Sequence, residues 1–408
     1  MRVYIRTYGC KVNQVESEEL AARLVAEGHE LVRDEDQAQL YAVNSCTVTG
    51  EADAKVRKGV RHAALLPNVE QVLVTGCAAV MHADQLRELS EKVVIADRET
   101  GNVPPALGSV FHTRVPVKVQ DGCENFCNYC IVPYARGASR SAPMSELVSR
   151  VAALAAKGTQ EIVLTGINIG RYHDLETGAN LAALIRALHE QGGIHRIRLS
   201  SIEPPDVTDE LCALLAEGVL CEHLHIPLQS GSDEVLKAMG RHYTAAEFTA
   251  AIKRVRAAAP QAAIATDVIV GYPAETDADF EATYNFCQAS AFSKIHVFRF
   301  SPRVGTPAAT LPPLDPQMVA ARAARLRELS TELAASYAQS QRGRTLEWVV
   351  ERLDPLTDQA TLTSREHLSM RISAADHVQG ELLSLPFDMM KSVRGDFPET
   401  SIPSLSEA

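Results

Sequence analysis

Over the first hundred residues, short apolar runs alternate with longer stretches in which apolar positions recur every three or four residues. RVYIRTYG reads as extended, and from about Asn13 to Gly28 the residues Leu20, Leu24 and Val25 fall on one helical face. LYAVNS and QVLVTG are further strand candidates, separated by a charged helical stretch from Glu51 to about Leu66. Another helix is predicted near Asp84–Leu89. Strands alternating with helices predict a parallel sheet covered on both faces, a doubly wound α/β domain over residues 1–105. Gly101, Pro104, Pro105 and Gly108 mark a linker after it.

Residues 114–340 repeat a strand–helix unit. The strand candidates are VPVKVQ, EIVLTG, RIRLSS, HLHIPLQ, AIATDVIVG and KIHVFRF. Helical patterns lie between them at Met144–Lys157, Leu181–His189, Asp209–Glu217, Ala245–Ala259 and Asp277–Gln288. Six such units predict a partial (β/α)6 barrel, closed by a long amphipathic helix from about Pro316 to Ser340. Residues 341–400 change character: TLEWVVERL, QATLTS, LSMRIS and GELLSLPF predict a small all-β barrel. The polar tail after Phe397 is expected to be loose.

A chain of 408 residues can bury large cores without disulfides. It has no run of ~18 apolar residues, and its start, MRVYIRTYGCKVNQ, lacks the apolar segment of a secretory signal. The expectation is a soluble cytoplasmic protein with no membrane partner. The net charge of −11 means that any nucleic-acid contact must use a local basic patch. Nine cysteines, an odd number in such a chain, suggest metal binding or catalysis rather than disulfides.

The sharpest chemical signal is CENFCNYC, which places Cys123, Cys127 and Cys130 in CxxxCxxC spacing directly after the first barrel strand. Loops after barrel strands form the active face. Three thiolates hold three corners of a 4Fe-4S cubane and leave one iron open, able to chelate and reductively cleave S-adenosyl-L-methionine. Zinc is the alternative, but it wants four ligands and only Cys127–Cys130 forms a CxxC pair. A second set, Cys10, Cys46 and Cys77, is not joined by any short motif, yet each ends a predicted strand of the first domain. In a parallel sheet those ends share one edge, where such folds bind ligands. The three should therefore converge on a second cluster, with Gly9 and Gly76 letting backbone approach it. Cys212, Cys221 and Cys287 have no partner spacing and read as packing.

Taken together these stretches resemble the radical S-adenosylmethionine methylthiotransferases. The resemblance runs through YGCKVNQVES, VNSCTVTGEADAKVRK, VTGCAA, VQDGCENFCNYCIVPYARG, LTGINIGRY, RLSSIEP, HLHIPLQSGSDEVLKAMGR, DVIVGYPAET and HVFRFSPRVGTPAA, in that order. GCKVNQ and the CTVT…AD.K run look like the MtaB-type branch. That branch methylthiolates C2 of N6-threonylcarbamoyladenosine, the nucleoside 3′ of the anticodon (position 37). The resemblance implies a radical-generating cluster on Cys123, Cys127 and Cys130 and a sulfur-carrying cluster on Cys10, Cys46 and Cys77. It also implies a tRNA anticodon stem-loop as partner, with an electron donor and a sulfur source of unknown identity.

For S-adenosylmethionine the resemblance implies Tyr129 near the adenine and Gly166 and Asn168 facing the methionyl ammonium. Ser200, Glu203, Gln229 and Val270–Gly271 sit at strand ends lining the rest. A purely structural role accounts for any one of these equally well. For RNA phosphates the candidates are Lys55, Arg57, Lys58, Arg61 and His62 on one helix, a solvated face being the equal alternative, and Arg136 and Arg140 after the radical cluster. The last segment resembles the small RNA-binding barrel called TRAM, but residues 341–408 carry a net charge of −4, poorly suited to clamping a polyanion. Rival readings remain: the same chemistry on isopentenyladenosine in tRNA or on a ribosomal-protein aspartate, and a metal-stabilised nucleic-acid-binding module without catalysis.

Overall fold

LYAVNS, the most apolar of the early runs, is the centre of the first sheet. A computed structural model of the chain describes residues 1–98, 113–354 and 356–391, so the predicted linker and the polar tail lie outside the described residues. β1 (Arg2–Thr7), β2 (Glu30–Leu31), β3 (Leu40–Ser45), β4 (Gln71–Gly76) and β5 (Val93–Ile95) form a parallel sheet in the order β2-β1-β3-β4-β5. Every residue of β3 is buried, as a central parallel strand requires. α1 (Lys11–Ala26), α2 (Gly50–Leu65), α3 (Cys77–Met81) and α4 (Ala83–Arg87) connect the strands. Successive residues of β1 split between two cores: Val3 and Ile5 pack with Leu20 and Leu24, whereas Tyr4 packs with Val56 and Val60. The doubly wound reading is thereby seen directly.

Several boundaries differ from the pattern. α1 starts at Lys11, ahead of the predicted Asn13, and Val25 is 39% exposed, off the buried face that Leu20 and Leu24 share. The single helix predicted near Asp84 is two short ones, the first beginning at Cys77 itself. β2 and β5 are two and three residues long, too short to show a period in sequence.

The barrel contains β6 (Arg114–Lys118), β7 (Gln120–Asp121), α5 (Val132–Arg136), β8 (Arg140–Ser141), α6 (Met144–Ala156) and β9 (Glu161–Thr165). It continues with α7 (Leu181–Gln191), β10 (Arg196–Leu199), α8 (Asp209–Ala216), β11 (His223–His225), α9 (Asp233–Ala238) and α10 (Ala245–Ala258). β12 (Ala263–Val270), α11 (Asp277–Ser290) and β13 (Lys294–Arg299) complete it. β6, β9 and β10 form one parallel sheet and β11, β12 and β13 another, with parallel bridges Ile197–Leu220 and Ser201–His225 joining them. The result is a six-stranded partial barrel whose edges are β6 and β13. VPVKVQ is not one strand: Gln120–Asp121 turns aside to pair antiparallel with β8. HLHIPLQ is regular only over His223–His225, because Pro227 has no N–H to give and Gln229 adopts φ +65°.

Alternation decides which side chains fill the barrel. Val115, Val117, Ile162, Leu164, Ile197, Leu199, Leu224 and Ile295 pack outward against the helices. Their neighbours in sequence, among them Glu161, Arg196, Arg198, His223, His225 and His296, therefore face the lumen, which is polar.

α12 (Pro316–Gln341) leads into β14 (Thr345–Asp354), β15 (Gln359–Ser364), β16 (Ser369–Ser373) and β17 (Leu382–Pro386). These form an antiparallel half-barrel in the order β16-β15-β14-β17, around Leu346, Trp348, Val350, Leu362 and Phe387. The C-terminal sheet closes the barrel at the N-terminal ends of its strands. Arg196 donates to the Thr363 carbonyl at 3.3 Å, and Arg198 donates to the Ser364 and Arg365 carbonyls at 3.0 and 2.9 Å. Both arginines meet Glu161 at 2.7 Å, Arg114 donates to Glu351 at 3.0 Å, and His223 stacks on His367 at 4.6 Å. This charged floor, invisible to composition, is what fastens the last sheet to the barrel.

Candidate active site

Cys10, Cys46 and Cys77 each follow a strand of the first sheet, at β1, β3 and β4, and they converge. Each of these thiols lies within electrostatic reach of the others, and all nine cysteines are free. Cys46 and Cys77 are buried whereas Cys10 is exposed. An asparagine network ties the loops together. Asn13 accepts from the Cys10 N–H at 3.3 Å and donates to Asn44 Oδ1 at 3.0 Å, and Asn44 donates back to the Asn13 carbonyl at 2.8 Å. The glycines also permit this loop-to-loop approach. At Gly9 (φ +131°) a Cβ would stand 2.9 Å from Cys46 Cβ, and at Gly76 (φ +87°) one would stand 2.5 Å from the Ser45 carbonyl oxygen. Burial pushes the Cys46 thiol up and the Cys77 thiol up to about 12, against a smaller opposing pull on Cys77 from Arg136.

Cys123, Cys127 and Cys130 lie at the opposite end of the barrel from the C-terminal sheet. Burial pushes the Cys127 thiol up and the Cys130 thiol up to about 12. Arg241 donates to Cys127 Sγ at 3.2 Å and to the Tyr243 hydroxyl at 3.2 Å, and it is ion-paired with Glu203. The Asn125 N–H points at Cys123 Sγ at 3.5 Å. Tyr129 is packed in an apolar group with Val235, Met239 and Tyr272, within electrostatic reach of Arg241 and of Cys127 and Cys130. Nothing in the spacing of Arg241, the last residue of HLHIPLQSGSDEVLKAMGR, ties it to the cysteines in the sequence.

The two thiol sets adjoin helices that pack on each other. α3, which begins at Cys77, packs on α5, which begins two residues after Cys130. Between them lies Arg136, bonded to both oxygens of Glu16 at 2.9 and 3.2 Å and to Asp121 at 3.0 Å, with its charge acting on Cys77 and Cys10. Its side chain is only 1% exposed, so it cannot serve as the surface phosphate ligand anticipated from sequence; it is an internal clamp. A second clamp joins the loop after β13 to the Cys46 loop. Arg303 pairs with Asp53 and donates to Thr47 at 2.8 Å.

Residues 117–287 match the Radical SAM superfamily, and residues 2–96 match the family described as Uncharacterized protein family UPF0004. A Thermotoga maritima protein named threonylcarbamoyladenosine tRNA methylthiotransferase MtaB is 38% identical over 335 residues, 76% of this chain and 77% of the relative. A Bacillus subtilis protein of the same name is 36% identical over 396 residues, 88% of this chain and 87% of the relative. This chain belongs to the radical S-adenosylmethionine methylthiotransferases. A Maricaulis maris relative named tRNA-2-methylthio-N(6)-dimethylallyladenosine synthase is 34% identical over 398 residues, 86% of the methylthiotransferase and 87% of the relative. In fold alone, the methylthiotransferase is similar to the radical S-adenosylmethionine methyltransferase TsrM of Kitasatospora setae. That likeness has a TM-score of 0.54 at 16% identity and covers 76% of this chain and 77% of that one.

Membership implies a 4Fe-4S cluster and S-adenosylmethionine, and the residues suit both. A cysteine binds metal as its thiolate, so a bound cluster would displace the protons that burial favours on these thiols, and N–H donors aimed at sulfur tune such a centre. Among the described residues no three His, Cys, Asp or Glu side chains close on a single ion; a cubane spreads its three thiolates over separate irons. Beyond the cysteines, Asn168 Oδ1 and Ser200 Oγ are buried without a hydrogen-bond partner, as sites for a polar ligand would be. Gly166 has a packing reason, since a Cβ there would stand 2.8 Å from the Gln120 carbonyl oxygen. The Val270 side chain is turned into the outer core, leaving only its backbone for a ligand. Of the basic helix, Lys58 and Arg61 are exposed, whereas Lys55 and His62 are paired with Glu51 and Glu35, each at 2.9 Å. Arg140 is exposed and donates to the Ala138 carbonyl at 3.3 Å. Cys212, Cys221 and Cys287 are buried. No helix among the described residues is long and apolar enough to cross a membrane.

Proposed function

We propose that this methylthiotransferase is a cytoplasmic tRNA-modifying enzyme that converts N6-threonylcarbamoyladenosine at position 37 to its 2-methylthio derivative. The observation that carries the reading is the packing of α3, which begins at Cys77, on α5, which follows Cys130, with Arg136 of α5 acting on Cys77 and Cys10. Cys123, Cys127 and Cys130 hold the radical-generating cluster and Cys10, Cys46 and Cys77 hold a second, sulfur-carrying cluster. When bound, the two clusters and S-adenosylmethionine supply hydrogen abstraction at adenine C2, sulfur and the methyl group. The protein's part is to fix that geometry. Arg241 holds the Cys127 sulfur and Glu203 together, Asn168 and Ser200 offer free polar atoms to S-adenosylmethionine, and Arg136 with Arg303 keeps the sheet edge against the barrel. The names of the relatives support tRNA as substrate, the two most similar cited above both being threonylcarbamoyladenosine enzymes. An electron donor and a sulfur source complete the requirement.

The test is nucleoside mass spectrometry on tRNA from a host lacking its own methylthiotransferases, with and without this chain. Appearance of 2-methylthio-N6-threonylcarbamoyladenosine is the expected result. If only the isopentenyl analogue appears, the substrate assignment fails while the chemistry stands. If neither appears although the protein holds both clusters, a ribosomal-protein aspartate becomes the substrate to assay.

A further inference from the structure

Two aromatic side chains stand in water at α5. Tyr134, on the helix itself, is 47% exposed, and Phe126, in the loop before it, is 55% exposed. Their rings pack edge to face, with centroids 6.0 Å apart and planes at 78°. Neither ring belongs to any of the apolar cores formed by the described residues. Apolar residues scattered singly over a surface need no explanation, but two rings packed on each other and left in solvent do.

The backbone and the neighbours say what kind of surface this is. Phe126 adopts φ +45°, a left-handed conformation that bulky side chains rarely take. Glycine would hold the same turn without strain, so stability alone does not account for a ring there. On α5 the faces are sorted. Arg136 is turned inward to Glu16 and Asp121, and Tyr134, two positions earlier and so about 200° round the helix, is turned out. Exposed His242 has its Nε2 3.3 Å from the carbonyl oxygen of Asn125, the residue before Phe126. Exposed Arg140 has its Nη1 3.5 Å from the Arg136 carbonyl oxygen, at the C-terminal end of α5. Solvated rings with a cation at their edge make a surface for a single-stranded nucleic acid, whose bases stack on the rings while its phosphates meet the cation.

We propose that Tyr134, held by Phe126, is a stacking platform for a base of the RNA loop next to the target adenosine. The inference rests on the tRNA reading above but not on the identity of the N6 substituent. Chemistry that uses both thiol sets on one nucleoside brings that nucleoside to the junction of α3 and α5, and its neighbours in the strand then lie across the outer face of α5. Every base has a π face, so the platform orients the loop without reading its sequence. Phe126 contributes by fixing the Tyr134 ring, which therefore loses little freedom when a base settles on it.

The test measures binding of end-labelled anticodon stem-loop RNA to the cluster-loaded enzyme by fluorescence anisotropy under anaerobic conditions. Tyr134→Leu, at unchanged iron content, should weaken binding about five- to a hundredfold, the range of one base–aromatic stack. Tyr134→Phe, which keeps the ring, should bind as wild type does. The salt dependence of binding should be the same in Tyr134→Leu as in wild type, because no phosphate contact is removed. RNAs made abasic at the nucleotide 5′ or 3′ of the target supply the second arm. One of them should lose the same factor with wild-type protein, which keeps the test valid if the variant folds poorly, and should lose nothing further with Tyr134→Leu. Undiminished binding by Tyr134→Leu, wild-type protein indifferent to both abasic RNAs, or losses that multiply for both of them overturns the inference. Unchanged RNA binding with slower reduction of the clusters by a protein reductant would overturn it in favour of a docking surface for the electron donor. Should wild type methylthiolate only the isopentenyl RNA, the substrate assignment falls and this inference stands. Methylthiolation of the threonylcarbamoyl RNA together with an indifferent Tyr134→Leu removes this inference alone.

Discussion

Replacing Glu161 by Gln should loosen the attachment of the C-terminal sheet, and the size of the effect can be worked from the charged floor. Glu161 is fully buried, and its two oxygens each meet an arginine Nε at 2.7 Å. Burial alone would raise its pKa, but Arg198, Arg196 and Arg114 outweigh burial and bring it from 4.5 to about 2. A difference of roughly 2.5 units at ~1.36 kcal/mol per unit is about 3 kcal/mol of stability at neutral pH. Breaking one partner of a buried charge network costs about 3–5 kcal/mol, which agrees. The sign follows from the depressed value: the contribution is complete above pH 4.5 and is lost as pH falls toward 2. Trp348, the one tryptophan of the chain, is buried in the C-terminal sheet and reports its unfolding by fluorescence. Denaturant titrations of wild type and Glu161→Gln should therefore differ by about 3 kcal/mol at pH 7 and converge toward pH 3. A difference below about 0.5 kcal/mol, the range of ordinary surface substitutions, or two pH profiles that stay parallel, would refute the reasoning.

Further outcomes follow from other residues. Cys127→Ala should abolish cleavage of S-adenosylmethionine, whereas Cys46→Ala should leave cleavage uncoupled from thiolation; thiolation surviving in Cys46→Ala would remove that cysteine from the sulfur-carrying role. Deleting residues 341–408 should cost solubility and barrel stability, not merely RNA affinity, because it strips the partners of Arg196 and Arg198; a monomeric truncated protein with an unchanged melting temperature would contradict this. Burial raises the pKa of Glu18 to about 7, so the folded state holds its proton while the unfolded state releases it above pH 4.5. Glu18→Gln should thus stabilise the protein increasingly between pH 5 and 8, by up to about 3 kcal/mol, and a pH-independent difference would count against it. Gly9→Ala should lower the iron content to that of a single cluster, measured by iron analysis after anaerobic reconstitution, since its Cβ meets Cys46.

The layer architecture was legible because its causes are local. The alternation of apolar runs and helical stretches located β1, β3 and β4, and three cysteines ending those strands had to share an edge. QATLTS matches β15 residue for residue. Turn chemistry explains the failures: Pro227 and the left-handed Gln229 cut HLHIPLQ short, and Gln120–Asp121 leaves the barrel to pair with β8. Charge could not be read at all. Arg136, Arg196 and Arg198 look like surface residues in a sequence, and only folding shows that each is buried against a carboxylate far away in the chain. The acidic composition of the last segment pointed to its poor fit for RNA but gave no hint that it plugs a barrel.

That plug is synthesised after the barrel it closes. Until residues 363–365 leave the ribosome, Arg196 and Arg198 have no carbonyls to bind, and the N-terminal end of the barrel stays open to water. Both cysteine sets, in contrast, are complete by residue 130. A chain interrupted late in translation would thus carry every thiol for its clusters on a barrel that has not closed. Stability here arrives after chemistry: the cysteines upstream are housed in a settled protein only once residues 363–365 have joined the barrel.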